Sequence, residues 1–127
     1  MAESIDHIGA VVKDLEGSID FYTQVLGFVV VRRSETADLK AAFVQLGETK
    51  IELIEMKRPM LTPLPSMDNT AVGLKHVALE VEDITKEIAE LKAKGVQFTS
   101  EPKGPDFPKA AFFRDPSGLI LQLIQWK

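Results

Sequence analysis

The most constraining feature of the sequence is an internal repeat. The segment "HIGAVVKDLEGSIDFY" at 7–22 matches "HVALEVEDITKEIAEL" at 76–91 when the second is shifted by 69 positions. The match aligns the only two histidines of the chain, His7 and His76, and also Asp14 with Asp83. A repeat of this kind predicts two copies of one structural unit rather than a single irregular fold.

The second part of each copy repeats as well. "FVQLGETKIELIE" at 43–55 matches "FRDPSGLILQLIQ" at 113–125 at a shift of 70, and the one-residue change of shift indicates a small insertion in the second copy. This alignment makes four pairs: Phe43 with Phe113, Glu52 with Gln122, Leu53 with Leu123, and Glu55 with Gln125.

Each copy has the hydrophobic pattern of a βαβββ unit. Period-two alternation predicts strands, and apolar residues at helical spacing predict one amphipathic helix per copy. The predicted strands are 4–12, 28–34, 40–47, 50–56, 74–81, 96–99, 110–114 and 118–125, and the predicted helices are 15–26 and 84–94. Asp14 and Asp83 are suited to cap the helix N-termini, and Gly27 and Gly95 to end the helices. The predicted fold class is α+β.

The length indicates one domain. A chain of 127 residues can bury a core without disulfides. We therefore predict a single domain over 1–127, with module 1 at about 4–56 and module 2 at about 74–127. The segment between them, "KRPMLTPLPSMDNTAVG" at 57–73, has the proline, serine and asparagine content of a linker.

Composition excludes several classes of function. The chain has no cysteine, so it has neither disulfides nor a thiolate nucleophile, and any metal must be bound by nitrogen and oxygen. Its net charge of -4, without a basic cluster, argues against nucleic-acid binding. No apolar run reaches the roughly 20 residues that span a bilayer. The start, "MAESIDHIGAVV", does not resemble a signal peptide, and a cytoplasmic location is expected.

Four polar residues lie at repeat-equivalent positions in predicted strands: His7, Glu52, His76 and Gln122. Because neighbours along a strand point to opposite faces, Glu52 and Glu55 cannot serve one site. If the two halves are related by an approximate two-fold axis, the four side chains converge on one cavity. Each also has a structural explanation, since a strand histidine often belongs to the core and a glutamate or glutamine to the wet face of a sheet.

Other residues also have two explanations. The segment 100–113 is either a solvated loop or a lid over a binding site. Basic side chains fit either ordinary surface charge or contacts to an anionic substrate, and they are Arg32, Arg33, Lys57, Arg58, Lys103 and Arg114. Six aromatic residues are predicted to lie in the core, and they are Phe21, Tyr22, Phe28, Phe43, Phe112 and Phe113.

The chain resembles the vicinal oxygen chelate superfamily, which includes glyoxalase I, methylmalonyl-CoA epimerase, extradiol dioxygenases, fosfomycin-resistance enzymes and bleomycin-binding proteins. Four segments carry the resemblance: "DHIGAVVKDLEGSIDFYTQVLGF", "LGETKIELIE", "GLKHVALEVEDI" and "FFRDPSGLILQLIQ". The resemblance implies two βαβββ modules in a cupped mixed sheet, frequent homodimers and a divalent metal ion. It also implies that the metal ligands are His7, Glu52, His76 and Gln122.

Departures from the family pattern narrow the expected chemistry. Members usually carry glutamate at the position of Gln122, so its amide argues against a dioxygenase. The epimerase pattern needs a second acidic residue on the third strand, and the segment "KAAFVQL" at 40–46 contains none. Glyoxalase I of the glutathione type usually has arginine and asparagine where this chain has Val11 and Met56, which argues against the usual glutathione adduct as substrate.

The resemblance therefore implies a metal-dependent, glyoxalase I-like lyase or isomerase that transfers a proton next to a carbonyl of a small-molecule substrate through an enediolate. Glu52 would act as both metal ligand and catalytic base. Two imidazoles with oxygen donors suit Zn²⁺, Ni²⁺, Co²⁺ or Mn²⁺. The alternative is a protein that binds a small molecule or an antibiotic without chemistry.

Overall fold

The computed structural model describes residues 1–127 and divides them into two compact units, Met1–Thr62 and Pro63–Lys127. Each unit contains one helical segment and a four-stranded sheet of mixed direction, so the predicted α+β class is confirmed. Predicted module 1 falls in the first unit and module 2 in the second, while the assignment of 1–127 to a single domain stays a prediction. None of the helices has the length and apolar character needed to cross a membrane.

The first unit has the strand order β1-β4-β3-β2, with β1 parallel to β4 and the other pairs antiparallel. Its elements are β1 (Ile8–Val11), α1 (Leu15–Asp20), a π-helical turn (Phe21–Val25), β2 (Val29–Glu35), β3 (Leu39–Leu46) and β4 (Thr49–Met56). One face of the sheet is buried through Val44, Ile51 and Leu53, and the helical segment contributes the buried Ile19 and Tyr22. The opposite face carries Phe43 and Glu52.

The second unit repeats this topology with the strand order β5-β8-β7-β6, in which β5 is parallel to β8. Its elements are β5 (Val77–Glu80), α2 (Ile84–Ala93), β6 (Phe98–Ser100), β7 (Lys109–Arg114) and β8 (Ile120–Gln125). Ile88 and Leu91 of α2 are buried, as are Phe113, Leu121 and Leu123 of the sheet. A mostly exposed segment, 101–108, joins β6 to β7.

Element boundaries differ most from the predictions at three places, and the others agree within two residues. Strands β1 and β5 begin at Ile8 and Val77, rather than at 4 and 74, because pairing with β4 and β8 starts only there. The predicted helix 15–26 is α-helical only to Asp20 and then widens to a π-helical turn. Gly27 and Gly95 follow the two helical segments as predicted, with φ of 82° and 93°.

Helix capping also differs from the prediction. Asp83 caps α2 as predicted, because its Oδ1 accepts a 3.1 Å hydrogen bond from the Lys86 N–H. Asp14 occupies the N-cap position of α1, but its side chain makes no capping hydrogen bond. The N–H of Leu15 donates instead to Glu55 Oε1 at 2.8 Å. A side chain from β4 therefore satisfies the first N–H of α1.

Strand register corrects one pair of the repeat alignment. Phe43 lies opposite Glu52, and Phe112 lies opposite Gln122, so the counterpart of Phe43 is Phe112 and not Phe113. The pairing of Glu52 with Gln122 is kept. The extra residue lies in the turn, because four residues separate the paired Gln45 and Lys50, whereas five separate the paired Arg114 and Ile120.

Candidate functional site

His7 and Glu52 come together on the first sheet. His7 directly precedes β1, and Gly9 of β1 is the register partner of Glu52, so both side chains lie on the face away from the helix. The His7 Nε2 and Glu52 Oε1 atoms are 3.7 Å apart, with the two side chains 36% and 26% exposed. Glu55 lies on the helix side, which confirms that it and Glu52 cannot serve one site.

Two further residues hold the His7 ring, and the sequence pattern missed both roles. Phe43 packs edge-to-face against it, with ring centroids 5.0 Å apart. Asp6 Oδ2 lies 2.8 Å from His7 Nδ1, and Asp6 Oδ1 lies 3.7 Å from Lys50 Nζ. The hydrogen bond to His7 and then the charge of Lys50 lower the pKa of the Asp6 carboxyl. The position of Asp6 directly before His7 is the feature of the sequence from which this contact could have been predicted.

The second sheet presents the corresponding pair, His76 and Gln122. His76 directly precedes β5, and Ala78 of β5 is the register partner of Gln122. The His76 ring packs edge-to-face on Phe112, with centroids 5.3 Å apart. The residue before His76 is Lys75, whose ammonium donates a 3.0 Å hydrogen bond to the Asp68 carbonyl. The two pairs therefore share an aromatic support but differ in the preceding side chain.

The interpretation of Phe43 and Phe112 as core aromatics is wrong, because both are half-buried on the faces that carry the candidate ligands. Alternation along β7 separates Phe112 from its neighbour Phe113, which is buried as predicted. Tyr22 and Phe28 are buried as well. Each candidate histidine is thus supported by a phenylalanine from the third strand of its own unit.

Two of the candidate basic residues have structural partners. Arg33 forms an ion pair with Glu16 at 2.7 Å, and its guanidinium lowers the pKa of that carboxyl. Arg114 donates to the carbonyls of Gly118 at 2.8 Å and Pro65 at 2.7 Å, which ties residues ahead of β5 to the β7–β8 turn. Ordinary structural roles therefore account for both.

The donor set of the first unit fits two ligands of one metal ion. In a tetrahedral site with bonds of roughly 2.1 Å, adjacent donors lie about 3.4 Å apart, close to the 3.7 Å between His7 Nε2 and Glu52 Oε1. The second unit offers one imidazole, His76, and one amide, Gln122. No three side chains from histidine, aspartate and glutamate form a group that could hold a metal ion.

Comparison with known proteins identifies the family of the chain. Residues 4–123 match the family model of the Glyoxalase/Bleomycin resistance protein/Dioxygenase superfamily. The chain belongs to this superfamily. A probable lactoylglutathione lyase of Vibrio cholerae serotype O1 is 36% identical over 122 residues, which cover 91% of this chain and 86% of the relative. The mitochondrial methylmalonyl-CoA epimerase of Mus musculus is 33% identical, with coverage of 95% and 72%.

A solved structure shows the same fold in this superfamily. The glyoxalase family protein from Enterococcus faecalis superimposes with a TM-score of 0.79 at 28% identity, covering 96% of this chain and 97% of that chain. The two curated relatives are named for different reactions, a lyase and an epimerase. Membership in the superfamily therefore assigns the family and the fold, and the reaction depends on the residues of the site.

Proposed function

We propose that this protein is a metal-dependent, glyoxalase I-like lyase or isomerase that moves a proton next to a carbonyl of a small-molecule substrate. The observation that carries the proposal is the 3.7 Å approach of His7 Nε2 to Glu52 Oε1 on an open sheet face. The repeat places a second imidazole and a second oxygen donor, His76 and Gln122, at the matching positions.

Glu52 is the candidate base, because it is the only carboxylate among the four proposed ligands. Its side chain is 26% exposed, so a bound substrate could reach it, and Phe43 beside it excludes part of the solvent. A base must lie within hydrogen-bond distance of the proton that it abstracts. Gln122 has no charge and would serve as an oxygen donor only.

The proposed ligands of the ion are His7, Glu52, His76 and Gln122. Imidazole nitrogen with carboxylate and amide oxygen suits Zn²⁺, Ni²⁺, Co²⁺ or Mn²⁺. A divalent ion bound there would supply Lewis-acid stabilisation of the negative charge that develops on the substrate oxygen. The charge and the geometry of the first ligand pair, His7 with Glu52, support this assignment.

Metal content and activity test the proposal together. Purified without a histidine tag, the protein should contain a divalent metal, lose it to a chelator, and then isomerise hemithioacetals of methylglyoxal with several thiols only after metal is restored. Glu52→Gln should abolish turnover. The matched control is Glu55→Gln, three residues away on the opposite face, which should keep it. Full activity in Glu52→Gln would overturn the role of Glu52.

The apolar side chains at Val11 and Met56 support a substrate other than the usual glutathione adduct. Both residues follow the alternation that puts them on the face of Glu52, on β1 and β4. Neither can make a hydrogen bond to a glutathione carboxylate. Hemithioacetals of thiols that lack the two terminal carboxylates should therefore be turned over at least as well as the glutathione adduct.

A second candidate function is binding of a small molecule or an antibiotic without chemistry. Gln122 favours it, because an amide at this position weakens a metal site relative to a carboxylate. Elemental analysis separates the two functions. A protein that purifies without metal, takes up none of the four ions and still binds an aromatic or glycopeptide ligand tightly would support binding alone.

We also propose that the protein is a cytoplasmic homodimer. Exposed valines on β2, an edge strand of the first sheet, support a second copy as partner, since Val29 and Val31 are 62% and 50% exposed. Light scattering should give about twice the chain mass of 14.1 kDa, and Val29→Lys should lower the measured mass. Cell fractionation tests the location.

A further inference from the structure

We propose that Asp6 is a positioning residue, whose carboxylate holds the neutral His7 imidazole in the tautomer that carries its proton on Nδ1. This tautomer leaves the Nε2 lone pair on the side of Glu52. The tautomer itself follows from contacts within the first unit, whereas its consequence for metal binding rests on the proposed function.

The geometry at the two ring nitrogens defines the tautomer. Asp6 Oδ2 lies 2.8 Å from His7 Nδ1, and an ionised carboxylate can only accept, so Nδ1 must donate. His7 Nε2 lies 3.7 Å from Glu52 Oε1, which is too long for a hydrogen bond. The hydrogen bond at one nitrogen thus decides the state of the other.

Contacts from other strands restrict both partners. The ammonium of Lys50, on β4, lies 3.7 Å from the second Asp6 oxygen, Oδ1. Phe43, on β3, packs edge-to-face at 80° against the His7 ring. Asp6 is 77% exposed, so its hydrogen bond competes with water. Lys50 attracts the Asp6 carboxylate, and Phe43 limits how the His7 ring can turn.

The second copy of the repeat provides an internal control. Lys75 precedes His76, and its ammonium is bonded to the Asp68 carbonyl. His76 keeps the aromatic support of Phe112, with centroids 5.3 Å apart, but has no carboxylate in the position that Asp6 occupies. The two sites also differ in Glu52 and Gln122, so the assignment to Asp6 rests on a change at His7 that Asp6→Ala causes and that His76 does not share.

The direct test is the tautomer in the metal-free protein. Long-range ¹H–¹⁵N correlation spectra of the two imidazoles would be recorded at about pH 8.5, well above the ordinary histidine pKa of about 6.5. His7 should carry its proton on Nδ1. Asp6→Ala should shift His7 towards the Nε2-protonated form, Asp6→Asn should preserve Nδ1 protonation in part, and His76 should not change in either variant.

Two results would overturn the inference: wild-type His7 protonated on Nε2, or an unchanged His7 tautomer in Asp6→Ala. Resonances elsewhere should stay in place, which excludes unfolding as the cause.

A second experiment measures the affinity for Zn²⁺ by competition between the protein and a chelator. Asp6→Ala should bind Zn²⁺ about tenfold to a hundredfold more weakly, as for other partners of ligating histidines, whereas Lys75→Gln should match the wild type.

The tautomer spectra and the Zn²⁺ competition together separate this inference from the proposed function. A wild-type protein that shows the Nδ1 tautomer but binds no Zn²⁺ would overturn the metal function and support the role of Asp6 in orienting the ring. A protein that binds Zn²⁺ with the same affinity in wild type and in Asp6→Ala would keep the metal site and overturn the consequence of the tautomer for metal binding, whereas the tautomer spectra alone decide the role of Asp6 in orienting the ring.

Discussion

The Leu15 N–H donates a 2.8 Å hydrogen bond to Glu55 Oε1, so a strand residue 40 positions away caps the first helix. The Ile84 N–H makes the equivalent bond, 3.0 Å long, to Gln125 Oε1. One copy of the repeat uses a carboxylate and the other an amide for the same task. What the two share is a side-chain oxygen acceptor at a helix N-terminus, and the charge is not required.

Substitution of Glu55 tests this explanation. Glu55→Ala should lower the free energy of unfolding by about 1 kcal/mol, as for other lost N-terminal caps. Glu55→Gln should be nearly neutral, because the amide oxygen can still accept. Urea unfolding measures both. Equal destabilisation by the two variants would show that the negative charge near the helix N-terminus is what matters.

Gln122→Glu should strengthen metal binding if Gln122 is a ligand. A carboxylate in place of the amide adds a negative charge to the proposed donor set, and we expect affinity for Zn²⁺ or Mn²⁺ to rise by about tenfold or more. Gln125→Glu changes the net charge of the chain equally but lies on the helix side, bonded to Ile84. Calorimetric titration of both variants should show the gain only in Gln122→Glu.

Neighbouring phenylalanines of β7 should differ in their contribution to stability. Phe113 is fully buried, and Phe113→Ala should cost about 3–5 kcal/mol. Phe112 is half-buried against the His76 ring, so Phe112→Ala should cost clearly less and should weaken metal binding. Chemical denaturation compares the two free energies. A larger loss for Phe112→Ala would contradict the strand register that makes Phe112 the counterpart of Phe43.

Gly118→Ala should be moderately destabilising. The backbone at Gly118 has a φ of 96°, and a Cβ there would displace the end of the Leu64 side chain, which is flexible and 54% exposed. Gly104→Ala is the matched control, because Gly104 has a φ of 79° and nothing near the added Cβ. The control should lose about 1 kcal/mol from backbone strain, and Gly118→Ala more. In thermal unfolding, the double variant Gly118→Ala with Leu64→Ala should lose only the part that comes from backbone strain, because the side chain that the Cβ meets is then absent.

Much of the fold was predictable because it depends on local periodicity. Alternation of apolar and polar residues along β4 placed Glu52 and Glu55 on opposite faces, and the structure confirms both positions. Strand ends were less predictable, because a strand begins where a partner becomes available. The segment before Ile8 keeps the alternating pattern yet has no partner on β4.

The candidate site was predictable only in part. The repeat identified His7, Glu52, His76 and Gln122, and the structure brings the first two within 3.7 Å. The repeat paired Phe43 with Phe113 and therefore missed Phe43 and Phe112 as the aromatic supports of the two histidines. The additional residue of the second copy lies in the β7–β8 turn, and only the strand register shows that position. The contact between Asp6 and His7 depends on side-chain orientation, which the sequence pattern does not encode.

By itself, the sequence determined the α+β class, the two-copy plan and the opposite faces of Glu52 and Glu55 on β4. These features follow from the spacing of apolar side chains, which acts along the chain over a few residues at a time. Only the tertiary structure decided that Glu55 caps α1, that Phe43 supports His7 and that Asp6 and Lys50 lie together. Those contacts join different elements, so they depend on strand register and side-chain orientation, which form only when the sheet does.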